Sequence, residues 1–381
     1  VWSLKVIDHY RETYECRSCR KNGTPYMEKA PVPYPPVLHS LASASTITWL
    51  IHQKFELSIP LYRQEKEWEA LGLRLSRATM SNWLLVVYRD WLVHIVHRLK
   101  LELLKQRYLH IDETHVQVLK EPGRKNTSDS YMWVYCSIRD AVNPIRYFEY
   151  QPGRSGKYPE AFLREYEGYI HTDAYSGYNA VSGVKRCLCY THLRRAFVDA
   201  LPKDIHNSEA SKPAEAILRL NQLFNIESEL EALPPDQKKK ERLIREKPLL
   251  EAFWSWAEKS AIGELPKSKL SKAFHYALNN REGFWNYLED GNCSISNSLA
   301  ENCIRPFVIG RKNWLFSGSP KGAEASAGIY TLVETAKANG LAPMKYIKYI
   351  LSDMPGSAFL EHPEYLDDYL PWNPLVKEFC R

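Results

Sequence analysis

Strand-like segments between residues 108 and 195 constrain the fold more than any other feature of the sequence. Three consecutive strands are predicted in "YLHIDETHVQVL", "YMWVYCSIRD" and "IRYFEYQP", because each is rich in β-branched and aromatic residues. A helix is predicted in "SGKYPEAFLREYEG", then a strand in "GYIHTDAYSGYNAV" and a short strand that becomes a helix in "KRCLCYTHLRRAFVDAL". This order predicts an α/β layer built around a mixed sheet.

Length and composition narrow the class of protein. The chain has 381 residues, of which 44% are hydrophobic, so two or three folding units are expected and global disorder is excluded. The formal net charge of +6 favours a polyanionic partner only weakly, because many enzymes are equally basic. Eight irregularly spaced cysteines and the lack of a run of 18 apolar residues argue against a disulfide scaffold and a membrane span. We therefore expect a soluble cytoplasmic protein.

Changes in pattern along the chain predict six segments. Within the helical region, a helix from Leu61 to Gly72 and a second one capped by Ser76 fit either a helix-turn-helix unit or a plain helical hairpin. The segments are a C-x2-C motif with a Pro-rich linker (1–36), a helical, DNA-binding candidate region (37–104), the first part of the sheet region (105–206), an all-helical block (207–292), a helix, a basic turn and a longer helix ending at Gly340 (293–345), and a C-terminal tail (346–381).

The motif "CRSC" near the N-terminus places Cys16 and Cys19 in the spacing of half a zinc site. A tetrahedral zinc site needs four ligands, and the nearby His9 and His39 lack the spacing of a zinc ribbon. Two free thiols in a short hairpin are therefore favoured over Zn²⁺ binding by Cys16 and Cys19.

Three carboxylates stand where they could share a metal ion. Asp112 lies inside a predicted strand, with Glu113 on the opposite face; Asp173 ends another strand, and Glu301 lies on a predicted helix beside the basic "GRKNW". Hard divalent cations prefer such oxygen ligands, and two of them can drive phosphoryl displacement. The alternative is that the two aspartates only cap turns, because 45 acidic residues allow many chance arrangements.

Five motifs, in order along the chain, resemble the catalytic region of the insertion sequence 66 family of DDE transposases: "HIDET", "HTDAYSGYN", "CYTHLRRAF", "AENCIRPFVIGRKNWLFSGS" and "YTLVETAKANGLAP". Upstream, "PLYRQE" and "GLRLSRATMSNW" also resemble that family. The resemblance implies an RNase H-like α/β fold with a mixed sheet and flanking helices, interrupted by an all-helical insertion and preceded by a helical DNA-binding region. It also implies a catalytic, metal-binding triad of Asp112, Asp173 and Glu301 that holds Mg²⁺ or Mn²⁺.

The activity implied by the resemblance is cleavage of the ends of a bacterial insertion element and their transfer to target DNA. The implied partners are DNA, further copies of the chain in a synaptic complex and accessory element-encoded proteins, at the bacterial nucleoid. The family usually shows an Asp-Asn-Asn run before the glutamate and an arginine after it, where this chain has Ser296, Asn297, Ser298 and Asn302. A DNA-binding remnant that no longer cuts is therefore the alternative interpretation.

Other residues receive supporting roles from the same motifs. Asn297 lies four residues before Glu301 and is expected to share its helix face. His192 is expected beside the triad through a Cys189-x2-His192 motif; zinc binding by His192 with Cys187 is the alternative. Trp314 could stack on a DNA base, although core packing is the favoured role. The residues expected to contact DNA are Arg194, Arg195, Arg305, Arg311, Lys312, Asn313 and Trp314.

Overall fold

The computed structural model describes residues 4–202 and 211–381 and centres on one mixed β-sheet. A small antiparallel hairpin lies near the N-terminus, and the other strands belong to the main sheet. The strands are β1 (Thr13–Glu15) and β2 (Met27–Lys29) in the hairpin, then β3 (Tyr108–Val118), β4 (Asp129–Ser137), β5 (Arg146–Gln151), β6 (Gly168–Thr172), β7 (Val184–Leu188) and β8 (Phe316–Ser317).

The main sheet has the strand order β5-β4-β3-β6-β7. The three strands β3, β4 and β5 form an antiparallel meander, whereas β6 and β7 run parallel to β3. The short strand β8 pairs with the far end of β3. This arrangement confirms the predicted mixed α/β sheet, and it makes the longest strand, β3, the centre of the layer.

Helices flank the sheet and account for most of the regular structure outside it in the described chain. They are α1 (Arg17–Lys21), α2 (Ala44–Ile51), α3 (Leu61–Ala70), α4 (Arg77–Val87), α5 (Val93–Leu104), α6 (Lys157–Phe162), α7 (Tyr190–Val198), α8 (Lys212–Glu229), α9 (Pro235–Glu241), α10 (Lys247–Ala261), α11 (Lys269–Asn279), α12 (Arg281–Trp285), α13 (Ser298–Trp314), α14 (Pro320–Ala338), α15 (Pro343–Asp353) and α16 (Pro374–Cys380). Among the described residues, no helix is both long and apolar enough to span a bilayer.

The helical pair before the sheet forms where the sequence predicts it. Gly72 has a φ of +86°, a left-handed conformation that ends the turn after α3 at little cost for glycine. The Ser76 hydroxyl accepts a hydrogen bond of 3.1 Å from the backbone N–H of Thr79 and so caps α4. The two predicted helices are therefore confirmed, while a DNA-binding role for them stays a prediction.

Helix α14 covers the outer edge of the sheet at β5. The hydroxyl of Thr331 accepts from the Phe148 backbone N–H at 2.8 Å, and that of Thr335 accepts from the Arg146 backbone N–H at 3.0 Å. An edge strand leaves such groups unpaired and open to pairing with another chain, so these two hydroxyls satisfy part of the edge from within the fold.

The helical block after α7 packs as a second core against β6 and β7. One of its fully buried charged groups is Arg242, which donates to Glu227 at 2.6 Å and to the carbonyl oxygen of Cys293 at 2.8 Å. The charge of this arginine is thus neutralised within the block, as burial requires. The same side chain ties the block to the segment that precedes α13.

Three sequence predictions differ from the structure near the catalytic candidates. The predicted basic turn around residues 310–314 is wrong, because α13 continues through it to Trp314 and ends at Leu315, whose φ is +68°. Asn297 does not share a helix face with Glu301 but stands just before α13, as its N-cap residue. The helix predicted over residues 155–168 is also shorter, since it covers only Lys157–Phe162.

Candidate active site

The two aspartates come to the same face of the sheet through strand register. His110 of β3 pairs with His171 of β6, and each histidine is followed two residues later by an aspartate. Alternate residues of a strand share a face, so Asp112 and Asp173 follow their histidines onto one face, with Asp173 directly after the end of β6. The two histidine rings stack with their centres 4.2 Å apart, which fixes the relative position of the two strands.

Asn297 positions the start of α13, the helix that carries Glu301. The Asn297 side-chain amide donates to the backbone carbonyl of Ile111 at 2.8 Å, and its oxygen lies 3.0 Å from Nδ1 of His110. These bonds attach the start of α13 to β3 beside Asp112. Glu301 lies in the first turn of that helix, so the same attachment brings its carboxylate to the aspartate face.

The charges of the three carboxylates influence one another. The pKa of Asp112 is raised to about 7, first by burial and then by the negative charge of Glu113, with further contributions from Asp173 and Glu301. Charges act strongly on one another only at short range or in a poorly solvated site. The face therefore holds a concentration of negative charge that favours either a proton or a cation.

His192 lies beside Glu301, at the start of α7. Its Nδ1 is 3.7 Å from Oε1 of Glu301, and both atoms are buried without a hydrogen-bond partner. The pKa of His192 is raised, first by the Cys189 thiol and further by the charges of Glu301 and Asp173. Ligand atoms of Cys189, His192 and Glu301 lie within 4.8 Å of one another, so the site has unsatisfied polar atoms aimed at a common point.

These unsatisfied atoms fit a bound divalent cation. A buried carboxylate oxygen without a partner costs free energy, and a cation removes that cost. The oxygens of Asp112, Asp173 and Glu301 are the hard ligands that Mg²⁺ and Mn²⁺ prefer. Among the described residues, the oxygens of these three carboxylates do not all lie within 4.8 Å of one another, and the group with ligand spacing on this face is Cys189, His192 and Glu301.

Two arginines that the sequence analysis missed hold Asp173. Arg154 lies 3.9 Å from a carboxylate oxygen of Asp173, and Arg186 donates at 2.6 Å to the Asp173 backbone carbonyl. Arg154 also binds Glu113 at 2.6 Å, and the Tyr178 hydroxyl donates to the same glutamate. Glu113 is thus paired within the fold, in a role distinct from that of Asp112. In the sequence, the repeated His-x-Asp pattern in "HID" and "HTD" is the signal that Asp112 and Asp173 lie on one face of the sheet.

The predicted DNA-contacting residues are spread along α7 and α13. Arg311 donates at 3.1 Å to the hydroxyl of Thr114, two residues beyond Asp112 on β3. Arg194 donates at 2.7 Å to Asn221 of the helical block. Trp314 packs 6.3 Å from the Tyr330 ring, centre to centre. Three of the basic side chains are exposed, those of Arg195, Arg305 and Lys312. Asn313 is half-buried, and its amide nitrogen lies 3.4 Å from the Ile309 carbonyl oxygen.

The N-terminal cysteines form no larger ligand group in the part of the chain that the structure describes. Cys16 and Cys19 are half-buried in the hairpin segment around α1, and Cys16 donates its backbone N–H to the Tyr26 carbonyl at 2.9 Å. No third His, Cys, Asp or Glu ligand atom joins them within metal-binding range among the described residues.

The raised pKa of Asp112 predicts that Asp112→Asn stabilises the metal-free protein. Its folded-state pKa of about 7 lies above the ordinary value of 3.8, so the stability of the fold decreases as pH rises through the window between these two values. At pH 8 we expect the variant to unfold with a free energy about 1–3 kcal/mol larger than wild type. The gain should shrink below pH 7 and vanish below about pH 4, as urea unfolding in EDTA would measure. An unchanged or lower stability at pH 8 would contradict the assigned environment.

Comparison with known proteins agrees with the motifs. A sequence profile described as "Transposase IS66 family" matches residues 39–325. Two uncharacterized proteins of Sinorhizobium fredii are similar to the chain: y4hP is 26% identical over 390 residues, covering 97% of this chain and 68% of its own length. The second, y4jD, is 26% identical over 384 residues and is covered over 73% of its length. Because the profile matches most of the chain, this protein belongs to the IS66 family of transposases.

Proposed function

We propose that the protein cleaves the ends of a bacterial insertion element and joins them to target DNA, with Asp112, Asp173 and Glu301 as its catalytic carboxylates. Family membership supports the general activity of a transposase. An antiparallel meander followed by two parallel strands supports an RNase H-like core, into which the helical block is inserted. The observation that carries the proposal is geometric: strand register brings Asp112 and Asp173 to one face of the sheet, and Asn297 attaches the start of the Glu301 helix to β3 beside them.

Each group of the site has a defined task in this proposal. Asp112, Asp173 and Glu301 would hold one or two Mg²⁺ or Mn²⁺ ions through their oxygens. Bound ions of this kind activate water and stabilise the charge that develops during phosphodiester displacement. His192, 3.7 Å from Glu301, orients that carboxylate, and Arg154, 3.9 Å from Asp173, limits the movement of the second aspartate. The protein thus supplies a rigid arrangement of oxygens, which phosphoryl transfer depends on.

The DNA backbone would run along the outer side of α13. Arg305 is exposed one turn after Glu301, and Lys312 is exposed in the last turn of the same helix. Lysine and arginine at such positions bind phosphates and fix the register of DNA without reading its sequence. We propose that two element ends are bound this way in a homo-multimer, together with accessory element-encoded proteins.

Cleavage of labelled element ends tests the proposal. Duplex DNA that carries the ends of the encoding element is incubated with the full chain and Mg²⁺ or Mn²⁺. Wild type should nick the strand at the element boundary, and Asp112→Asn should lower the rate by at least about 10²–10³-fold, the range for losing one group that stabilises transition-state charge. A gel-shift assay on the same DNA measures binding separately.

The outcome separates the enzyme from a DNA-binding remnant. Uncharged Ser296, Ser298 and Asn302 around the glutamate favour the remnant, because they lack charged side chains that could orient the site. Binding of element ends by wild type without any cleavage would establish the remnant and reject the enzyme. Cleavage that persists in Asp112→Asn would reject the site assignment instead.

A further inference from the structure

A second cluster of metal-ligating side chains lies near the carboxylates, and its histidine precedes Asp173 by two residues. It contains His171 of β6, Cys187 of β7 and Cys293, which stands between α12 and α13. All three residues are buried, and their ligand atoms lie within 4.8 Å of one another. The catalytic proposal leaves these side chains without a task.

Strand register builds two of the three ligands into the sheet. His171 and Cys187 are direct partners in the parallel pairing of β6 with β7, so their side chains lie next to each other on one face. That is the face of Asp173, which follows His171 by two residues. Cys293 then approaches from the loop that covers this face.

The histidine is held in the orientation that metal binding needs. Its Nδ1 lies 3.1 Å from the Leu109 backbone carbonyl, which can only accept, so Nδ1 carries the proton. Histidines that bind metals commonly donate their other ring N–H to a backbone carbonyl in this way. The free lone pair is therefore on Nε2, which accepts from the backbone N–H of Ser294 at 2.9 Å, next to Cys293.

We propose that His171, Cys187 and Cys293 form a structural site for a thiophilic metal ion, with Zn²⁺ as the ion expected. The site goes beyond the proposed function, since its ion holds the chain together and does not touch DNA. Two thiolates and a neutral imidazole neutralise a divalent cation, so the buried complex carries no net charge. They supply three of the four ligands of a tetrahedral site, and a water molecule would supply the fourth. Zinc–ligand distances of about 2.0–2.3 Å require the three ligand atoms, which lie within 4.8 Å of one another, to move closer together. The bond to Nε2 replaces the hydrogen bond from Ser294.

The position of Cys293 explains what such an ion would stabilise. The carbonyl of Cys293 accepts from Arg242 of the helical block at 2.8 Å, and the next residue contacts His171. Four residues later, Asn297 attaches α13 to β3. The ion would join the sheet, the helical block and the approach to Glu301 at one point.

Cobalt substitution tests the site. The full chain, reduced with TCEP and stripped of metal, is titrated with Co²⁺ in a Cys16→Ser/Cys19→Ser background, which removes the N-terminal thiols. We expect one Co²⁺ per chain with thiolate-to-cobalt charge-transfer and tetrahedral d–d absorption, displaced by Zn²⁺. Cys187→Ser and Cys293→Ser should each weaken binding by more than about 100-fold, since even the loss of an outer partner costs ~10–100-fold. Cys380→Ser, a change at a buried cysteine of α16, should have no effect.

Two results would overturn the site: no cobalt absorption, or absorption that survives Cys293→Ser. If the absorption that survives Cys293→Ser is lost in Cys189→Ser, the ion is bound by Cys189 and His192 instead. If the serine variants do not fold, Zn²⁺ should protect Cys187 and Cys293 of the otherwise unaltered background chain from alkylation in mild urea, and equal alkylation with and without Zn²⁺ rejects the proposal. None of these measurements uses DNA, so failure here and failure of the cleavage proposal are distinguishable.

Discussion

Glu301→Gln is expected to lower Mg²⁺-dependent cleavage of element ends by at least about 10²–10³-fold while element-end binding stays within a few-fold of wild type. The change removes a charged oxygen ligand but keeps the size of the side chain and its place in the first turn of α13. Oxygen ligands with a full negative charge hold Mg²⁺, whereas a neutral amide offers a single weak carbonyl oxygen. Single-turnover cleavage at saturating DNA measures the effect on the chemical step.

The same variant has a readout that does not depend on activity. The negative charge of Glu301 contributes to the raised pKa of Asp112, so Glu301→Gln should lower that pKa in the metal-free protein. Carbon-13 NMR of the aspartate carboxyl groups, titrated from pH 4 to 9, follows it directly. Glu324→Gln, a change at an exposed glutamate of α14, serves as the matched control and should alter neither cleavage nor the titration.

Failure of these two readouts has different meanings. An unchanged Asp112 titration in Glu301→Gln would show that the two carboxylates do not share a site, whatever happens to cleavage. A changed titration with full cleavage would place the metal on Asp112 and Asp173 alone. His192→Gln adds a further comparison, because a residue that orients Glu301 from 3.7 Å should cost about 10–100-fold, less than the glutamate itself.

The sheet and its order of elements could be predicted because the signal is local. The β-branched and aromatic residues of β3, β4 and β5, and the turn residues between the first two strands, are properties of short segments. The capped helix α4 is equally local, since Ser76 and the turn at Gly72 act within a few residues. Such features need no knowledge of the rest of the chain.

The end of α13 could not be predicted in the same way. Gly310 and the basic residues after it are typical of a turn, yet the helix continues because packing overrides propensity there. A Cβ at Gly310 would lie 2.0 Å from the Trp314 ring, so the glycine leaves room for the tryptophan to fold back on its own helix. That contact, together with the packing of Trp314 against Tyr330, depends on tertiary structure that no local pattern contains.

The residues of the candidate site also fall into those that local patterns predict and those that depend on tertiary structure. Asp112, Asp173 and Glu301 could be chosen as candidates from the predicted strands and helix, but only the family motifs combined them into one site, because 128 residues separate Glu301 from the second aspartate. Arg154, Arg186 and the His171 cluster were missed because their partners come from other strands and loops. Pairs set by sheet register are invisible until the order of the strands is known.

Asn297→Ala is expected to lower the free energy of unfolding by about 2–4 kcal/mol. The residue is 1% exposed, and its side chain serves two buried groups: the Ile111 carbonyl at 2.8 Å and the His110 ring at 3.0 Å. Alanine removes both hydrogen bonds and leaves a buried donor and a buried acceptor without partners, which costs more than the bonds themselves contribute. Urea unfolding followed by tryptophan fluorescence and circular dichroism measures the loss. Asn302→Ala, at an exposed asparagine on the same helix, should change stability by less than about 0.5 kcal/mol.

The same substitution should also affect the site, since Asn297 attaches the Glu301 helix to the strand that carries Asp112. At a temperature where Asn297→Ala remains folded, cleavage should fall by about 10–100-fold, the cost of losing a partner that orients a ligand. Asn297→Asp should recover little stability, because its carboxylate cannot donate to the Ile111 carbonyl and adds a buried charge. A stability loss below about 1 kcal/mol in Asn297→Ala would mean that α13 is held by other contacts. Packing of α13 alone would then position Glu301, and the proposed role of Asn297 in attaching this helix to β3 would be rejected.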